Sequence, residues 1–351
     1  MSPQSKPARD KGRGAPAPVI DKGRGAPGLG RMFALEVARV TERAALAAFP
    51  LIGRGDEKSA DQAAVDAMRR ALNELAIDGE VVIGEGERDA APMLFIGEKV
   101  GRGEGPRLDI ALDPLEGTTL TAKGMNNALA VVAIAERGSL LNAPDVYMEK
   151  IALGGGFAKR LVSLQATPAE NVRALARAKK CPASEITVCV LDRPRHERLI
   201  AALRKAGARV HLISDGDVAG VMHTADAASE IDLYMGIGGA PEGVLAAAAL
   251  RCTGGQMEGR LLFADVEQEA RARRMGIAQL DKVYTEKDMA GGDVMFAATG
   301  VTDGSLLSGV RRRGEEFWTE TLLMRAASGT RRWIRTAHRA QKVSADGTRR
   351  A

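Results

Sequence analysis

The sequence predicts an α/β fold with a mostly parallel sheet in its second half. Three observations predict it. Residues 186–251 alternate strand-like and helix-like patterns three times over. Earlier, two helical stripes precede short apolar strands that end in acids. And 351 residues, 45% of them hydrophobic, suffice for a large core or two coupled ones. Only 3% are aromatic, so Leu, Ile, Val, Met and Ala must fill that core.

Taken in order, residues 1–31 hold seven Lys/Arg, two Asp and a near-repeat, Asp10–Pro16 and Asp21–Pro27. So much Pro and Gly cannot pack a core, which predicts a disordered basic tail. It is either a solvated extension or an electrostatic contact for RNA or a partner. A helical period runs from Met32 to Phe49, and a second through Val65, Met68, Leu72 and Leu75. Asp61 lies one turn before Val65 on that buried side. A carboxylate there needs a partner or caps the helix.

Glu80–Gly84 reads as a strand that delivers Glu85 to a loop, with Glu87 and Asp89 close behind. Leu108, Ile110 and Leu112 alternate, so 107–113 is a strand, and Pro114 is expected to stop its ladder for want of an N–H. A third run covers 128–135. In the second half, strands are expected at 186–191, 209–213 and 231–237, and helices at 196–206, 216–224 and 241–251. That rhythm implies parallel strands with right-handed crossovers, and ligands beyond the strands' carboxyl ends. The loops there are 192–195, 214–217 and 238–243. Runs near 317–324 and 330–337 should close the second domain, with a frayed basic tail from about 339.

Charge narrows the function. The net charge is +5, but the first 31 residues carry +5 and the last 21 carry +6, so residues 32–330 carry −6. A nucleic-acid binder carries its basic face on the folded domain, so no nucleic-acid partner is expected. No apolar run approaches a membrane span, and no secretory signal is present. The three cysteines lack CxxC spacing, so a disulfide framework is not expected. Together these point to the cytoplasm. The P-loop, GxSxG and HExxH motifs are absent, and the four histidines share no ligand spacing.

What is present is acidic. Asp113-Pro-Leu-Glu-Gly-Thr118 sets two carboxylates around a strand end, Glu85 ends a neighbouring strand, and Glu242 opens a helix. Carboxylates sharing a cleft repel one another. Hard divalent cations relieve that repulsion and suit phosphate esters.

The hexapeptide Asp113–Thr118 resembles the signature of the lithium-sensitive, metal-dependent sugar and inositol phosphatase superfamily. Further stretches resemble class II fructose-1,6-bisphosphatases of the GlpX type: 53–56, 60–61, 83–87, 91–94, 96–100, 141–145, 147–150, 194–196, 215–217 and 236–243. The resemblance implies a layered α-β-α sandwich of two coupled subdomains, a metal- and phosphate-binding one over 32–165 and a sugar-binding one over 166–338. It implies that Asp61, Glu85, Asp113, Glu116 and Glu242 hold two or three Mg²⁺ or Mn²⁺ ions. Thr118 and Asp89 would assist attack on phosphorus. Glu116, Gly117, Thr118, Tyr147, Arg193, Pro194, Arg195, Asp215, Gly216, Asp217 and Gly239 would contact substrate. Arg193 stands where the family often has Lys. The implied reaction removes the 1-phosphate of fructose 1,6-bisphosphate. Alternatives are sedoheptulose 1,7-bisphosphate as substrate, an inositol-monophosphatase-like activity, or a basic-tail nucleic-acid or scaffold protein. A homodimer or tetramer is the family expectation.

Overall fold

The computed structural model describes residues 30, 33–86 and 93–339. Apart from Gly30 and Arg339, the expected basic tails lie outside the described residues, as do Glu87 and Asp89. The chain opens with α1 (Phe33–Ala48) and α2 (Glu57–Asn73), as the apolar stripes predict. Asp56 caps α2 by accepting a hydrogen bond from Ser59 N at 3.0 Å. Asp61 is a full turn inside the helix and is not the cap.

Next come β1 (Asp78–Ile83), β2 (Lys99–Val100), β3 (Arg107–Glu116), α3 (Thr118–Lys123), β4 (Leu129–Glu136) and β5 (Tyr147–Leu153). The second half runs α4 (Pro168–Lys179), β6 (Thr187–Leu191), α5 (Glu197–Lys205), β7 (Arg209–Ile213), α6 (Asp217–His223), β8 (Leu233–Gly239) and α7 (Ala240–Thr253). After it come β9 (Gln256–Leu262), α8 (Val266–Arg274), β10 (Val283–Thr285), α9 (Glu286–Met289), β11 (Val294–Gly300), β12 (Arg311–Arg313), β13 (Glu316–Arg325) and β14 (Thr330–Arg339).

Two sheets form among the described residues. The first runs β12-β13-β11-β4-β3-β1-β2, with β14 also on β13; the second runs β10-β9-β5-β8-β6-β7. The three strands expected to be parallel are so: β6 pairs in parallel with both β7 and β8. The rest of that sheet is antiparallel, through β5, β9 and β10, so it is mixed rather than mostly parallel. The sheets do not divide the chain at residue 165. β5 precedes that point yet lies in the second sheet, and β11 to β14 follow it yet lie in the first. The runs expected to close the second domain, now β13 and β14, therefore close the first sheet, because β11 returns to pair with β4 along seven residues.

Pro114 does not end β3. The strand continues to Glu116 across a register shift against β4 between Asp113 and Glu116, and its pairing with β1 has already ended at Ala111. No ladder partner is left for the missing N–H, so proline is tolerated there.

Three apolar clusters reveal five layers. α1 and α2 cover the outer face of the first sheet. α6 and α7 fill the space between the sheets. α4 and α5 cover the outer face of the second. In β4, Leu129, Val131, Ala133 and Ala135 face the middle layer while Ala130, Val132 and Ile134 face α1 and α2. Burial on both faces explains its unbroken apolar run. Each large side chain buried this way contributes about 1.5–3 kcal/mol. α7 touches both sheets, and its run Ala246–Ala249 is buried throughout. Small side chains let both sheets approach this one helix. Among the described residues no helix is long and apolar enough to cross a membrane.

Candidate active site

The ends of β3, β6, β7 and β8 meet at a cleft of about 220 Å³ between the two sheets. Its lining brings together Asp113, Glu116, Gly117, Tyr147, Arg193, Arg195, Asp215, Asp217, Gly239 and Glu242. All ten were expected from the sequence. The three strand-end loops of the second half converge as parallel-sheet topology requires.

Both sheets contribute carboxylates to the site. Burial pushes the Asp113 carboxyl well above its ordinary range, and Glu85, Glu116, Glu242 and Asp61 push it further. Glu85 is raised to about 8 by burial, then by Asp61 and Glu242. Glu242 is raised to about 7 by burial and then Asp217, with Lys150 opposing. Burial raises Asp61 as well. Glu116 is raised by burial, then by Asp217 and Asp215, although Val218 N donates to its Oε1 at 3.0 Å. The five expected metal ligands therefore feel one another electrostatically.

Two buried oxygens, Glu116 Oε2 and Glu242 Oε2, have no hydrogen-bond partner. Orphaned carboxylate oxygens in an all-oxygen donor set fit a hard divalent cation. Among the described residues, however, no three His, Cys, Asp or Glu side chains converge closely enough to form a metal-holding group. Glu87 and Asp89 belong to the loop outside the description.

Glycines let these acids approach the backbone. A Cβ at Gly239 would lie 1.9 Å from Glu242 Oε2, and one at Gly238 would lie 2.1 Å from Asp217 Oδ2. Gly216 abuts the orphaned Glu116 Oε2, where a Cβ would lie 3.2 Å away. Gly117, at φ +90°, turns the chain from Glu116 into α3, whose first residue is the half-buried Thr118. Thr118, Pro194, Gly216, Asp61 and Glu85 are not part of the cleft lining itself.

The lining also carries two arginines. The Arg195 guanidinium lies over the Tyr147 ring, 4.8 Å from its centroid, and donates from Nε and Nη2 to Ile237 O at 3.0 and 2.8 Å. Three of its five N–H groups remain for a ligand. Arg193 lies 3.9 Å from Asp215. Such planar forks match phosphate oxygens.

Two residues that sequence reasoning left without a role support this site. Lys150 is 1% exposed; its ammonium pairs with Asp217 and donates to Gly239 O at 2.8 Å. The signal was available: Met148, Lys150 and Ala152 share one face of β5, and a lysine on an apolar face needs a buried partner. His196, one of the four histidines without ligand spacing, is 1% exposed and hydrogen-bonded through both ring nitrogens.

Against known proteins, the family described as bacterial fructose-1,6-bisphosphatase, glpX-encoded, matches residues 31–338. Fructose-1,6-bisphosphatase 1 class 2 of Escherichia coli (strain K12) is 51% identical over 322 residues, covering 88% of this chain and 95% of that protein. Fructose-1,6-bisphosphatase class 2 of Shigella flexneri gives the same figures, 51% over 322 residues. A solved inositol monophosphatase from Anabaena (Nostoc) sp. PCC 7120 aligns over 55% of this chain and 71% of its own, at 13% identity and a TM-score of 0.29, too loose a likeness to carry an argument.

Proposed function

This chain belongs to the family of bacterial, glpX-encoded fructose-1,6-bisphosphatases, and on that premise we propose that it hydrolyses the 1-phosphate of fructose 1,6-bisphosphate, giving fructose 6-phosphate and phosphate. The observation that carries the reading is the meeting of a carboxylate cluster and an arginine pair in the lining of one cleft. A bisphosphate has two charged ends, and this cleft has a separate means of holding each.

In this reading Asp61, Glu85, Asp113, Glu116 and Glu242 hold two or three Mg²⁺ or Mn²⁺ ions. When bound, such ions neutralise the acids, draw charge from a phosphoryl oxygen and make water a stronger nucleophile. The chain's own residues do the rest. Thr118 and Asp89 orient the attacking water. Arg193 and Arg195 hold the far phosphate, with Tyr147 bracing the Arg195 plane from beneath. Asp215, Gly216, Asp217 and Gly239 line the sugar's path, and Gly117 lets the chain turn close to the reacting phosphate. An inositol-monophosphatase-like activity fits less well, since a monophosphate brings no second phosphate for the two arginines. Family membership also carries the expectation of a dimer or tetramer, which sedimentation of the purified chain measures.

The test is phosphate release from fructose 1,6-bisphosphate, sedoheptulose 1,7-bisphosphate and inositol 1-phosphate, in Mg²⁺, in Mn²⁺ and in EDTA. Hydrolysis of the fructose ester that EDTA abolishes supports the proposal. Faster turnover of the heptulose ester moves the substrate, and undiminished turnover in EDTA removes the metal and with it the proposed role of the five acids.

A further inference from the structure

His196 stands where two parallel strands part. β6 and β8 pair only at Val188↔Leu233 and Cys189↔Tyr234. Beyond those rungs β6 stays with β7 to Leu191↔Ile213, and β8 stays with β5 to Gly239↔Tyr147. The strands are held from outside while the space between them widens into the cleft. The imidazole fills that space. Nδ1 lies 2.7 Å from Leu191 O, and Ile237 N donates to Nε2 at 2.7 Å. A carbonyl only accepts and an amide N–H only donates, so the ring must carry its proton on Nδ1 and leave Nε2 bare. The ring thus replaces a peptide rung, holding the strand ends one ring's width apart. Burial favours the uncharged ring, and Arg195 and Arg193 oppose a positive charge on it.

Each strand end leads directly into one wall of the cleft. Leu191 precedes the loop that carries Arg193 and Arg195, and Ile237 precedes the turn to Gly239 and Glu242. Arg195 itself takes the Ile237 carbonyl, so both backbone groups of Ile237 are held by the 195–196 turn.

We propose that His196 is a positioning residue for the bisphosphate: its ring sets the separation between the arginine loop and the Gly239–Glu242 turn, and so the reach to the far phosphate. The inference rests on the reading above that Arg193 and Arg195 bind that phosphate. It predicts a selective defect, because a substrate without the far phosphate does not use the arginine loop.

The experiment measures KM and kcat on fructose 1,6-bisphosphate and on fructose 1-phosphate for wild type, Arg195→Ala, His196→Phe and His196→Gln. His196→Phe should raise KM for the bisphosphate about tenfold, with kcat within about twofold and a much smaller change on the monophosphate. His196→Gln, whose amide can still accept from Ile237 N, should recover part of the loss. Equal losses on both substrates would mark His196 as merely structural and overturn the inference. If His196→Phe does not fold, His196→Gln must alone show the bisphosphate-selective rise, and its failure to do so is equally decisive. A selective defect in Arg195→Ala with none at residue 196 ends the inference and leaves the arginine reading standing. No selective defect in Arg195→Ala ends both. Imidazole ¹⁵N spectra of the wild type should show a neutral ring protonated at Nδ1; a ring protonated at Nε2 contradicts the geometry.

Discussion

Replacing Lys150 with Met tests how the cleft tolerates so many acids. Lys150 is the buried cation among them: it pairs with Asp217, donates to Gly239 O at 2.8 Å and opposes the upward push on Glu242. Asp217 in turn is a leading cause of the raised Glu116 and Glu242. In Lys150→Met, Asp217 keeps only the long hydrogen bond from Tyr234 Oη, at 3.4 Å, among its side-chain partners. The Gly239 carbonyl loses a charged donor. Stranding a buried charge costs about 3–5 kcal/mol. Asp217→Asn strands the ammonium and should cost a comparable amount. The double variant leaves two neutral groups, so its loss should be no larger than either single one, with a coupling of about 2 kcal/mol or more. The assay is equilibrium urea unfolding at neutral pH in EDTA, so that cation binding contributes nothing to the folded state. A loss below about 1 kcal/mol in Lys150→Met, or strict additivity in the cycle, would refute the pairing as a support of the site.

Four further outcomes follow from the same geometry. Glu85 and Glu242 are raised from 4.5 to about 8 and about 7, so the folded chain keeps protons that the unfolded chain has released. Their contribution to stability falls as pH rises from about 4.5 to about 8; in EDTA the protein should melt lower at pH 8 than at pH 6, Mn²⁺ should flatten the difference, and a rising melting temperature would contradict the carboxylate cluster. Asp113→Asn or Glu116→Gln should cut turnover at least about a hundredfold without lowering the melting temperature in EDTA, since each removes a repelling charge; circular dichroism and phosphate release check both halves. Gly239→Ala should displace the Glu242 carboxylate and weaken Mn²⁺ binding about tenfold by calorimetry. Thr299→Val breaks a buried hydroxyl chain, Thr41–Thr299–Thr321, with both oxygen separations at 2.7 Å; it should cost about 1–3 kcal/mol in urea unfolding and leave KM alone.

The elements that bury one clear pattern were legible. The apolar stripes of α1 and α2 and the unbroken run of β4 each report local burial directly. So did the loops after β6, β7 and β8, because parallel pairing dictates where loops gather. Partners far apart in sequence were not legible. Nothing near Tyr147–Leu153 announces that β5 crosses to the second sheet, nor near Val294 that β11 returns to the first. Pro114 was read by its missing donor alone, whereas the decisive fact is that the neighbours it would have paired with have already diverged. At Asp61, periodicity favoured a cap and only the family resemblance pointed to a ligand; Asp56 takes the cap, and Asp61 is one of the charges that raise Glu85 and Asp113. Lys150 and His196 needed their partners' positions before either could be given work.

The crossing of β5 one way and of β11 to β14 the other has a consequence for how the molecule can be taken apart. The second sheet is one unbroken length of chain, β5 to β10, set between the two halves of the first, so a cut near residue 165 leaves neither piece with a complete sheet. Fragments made by dividing the gene near residue 165 should each be insoluble alone and regain a fold only when co-expressed. Heating or denaturant should melt both layers in one step, and recombination between relatives should succeed only when the crossing strands travel together.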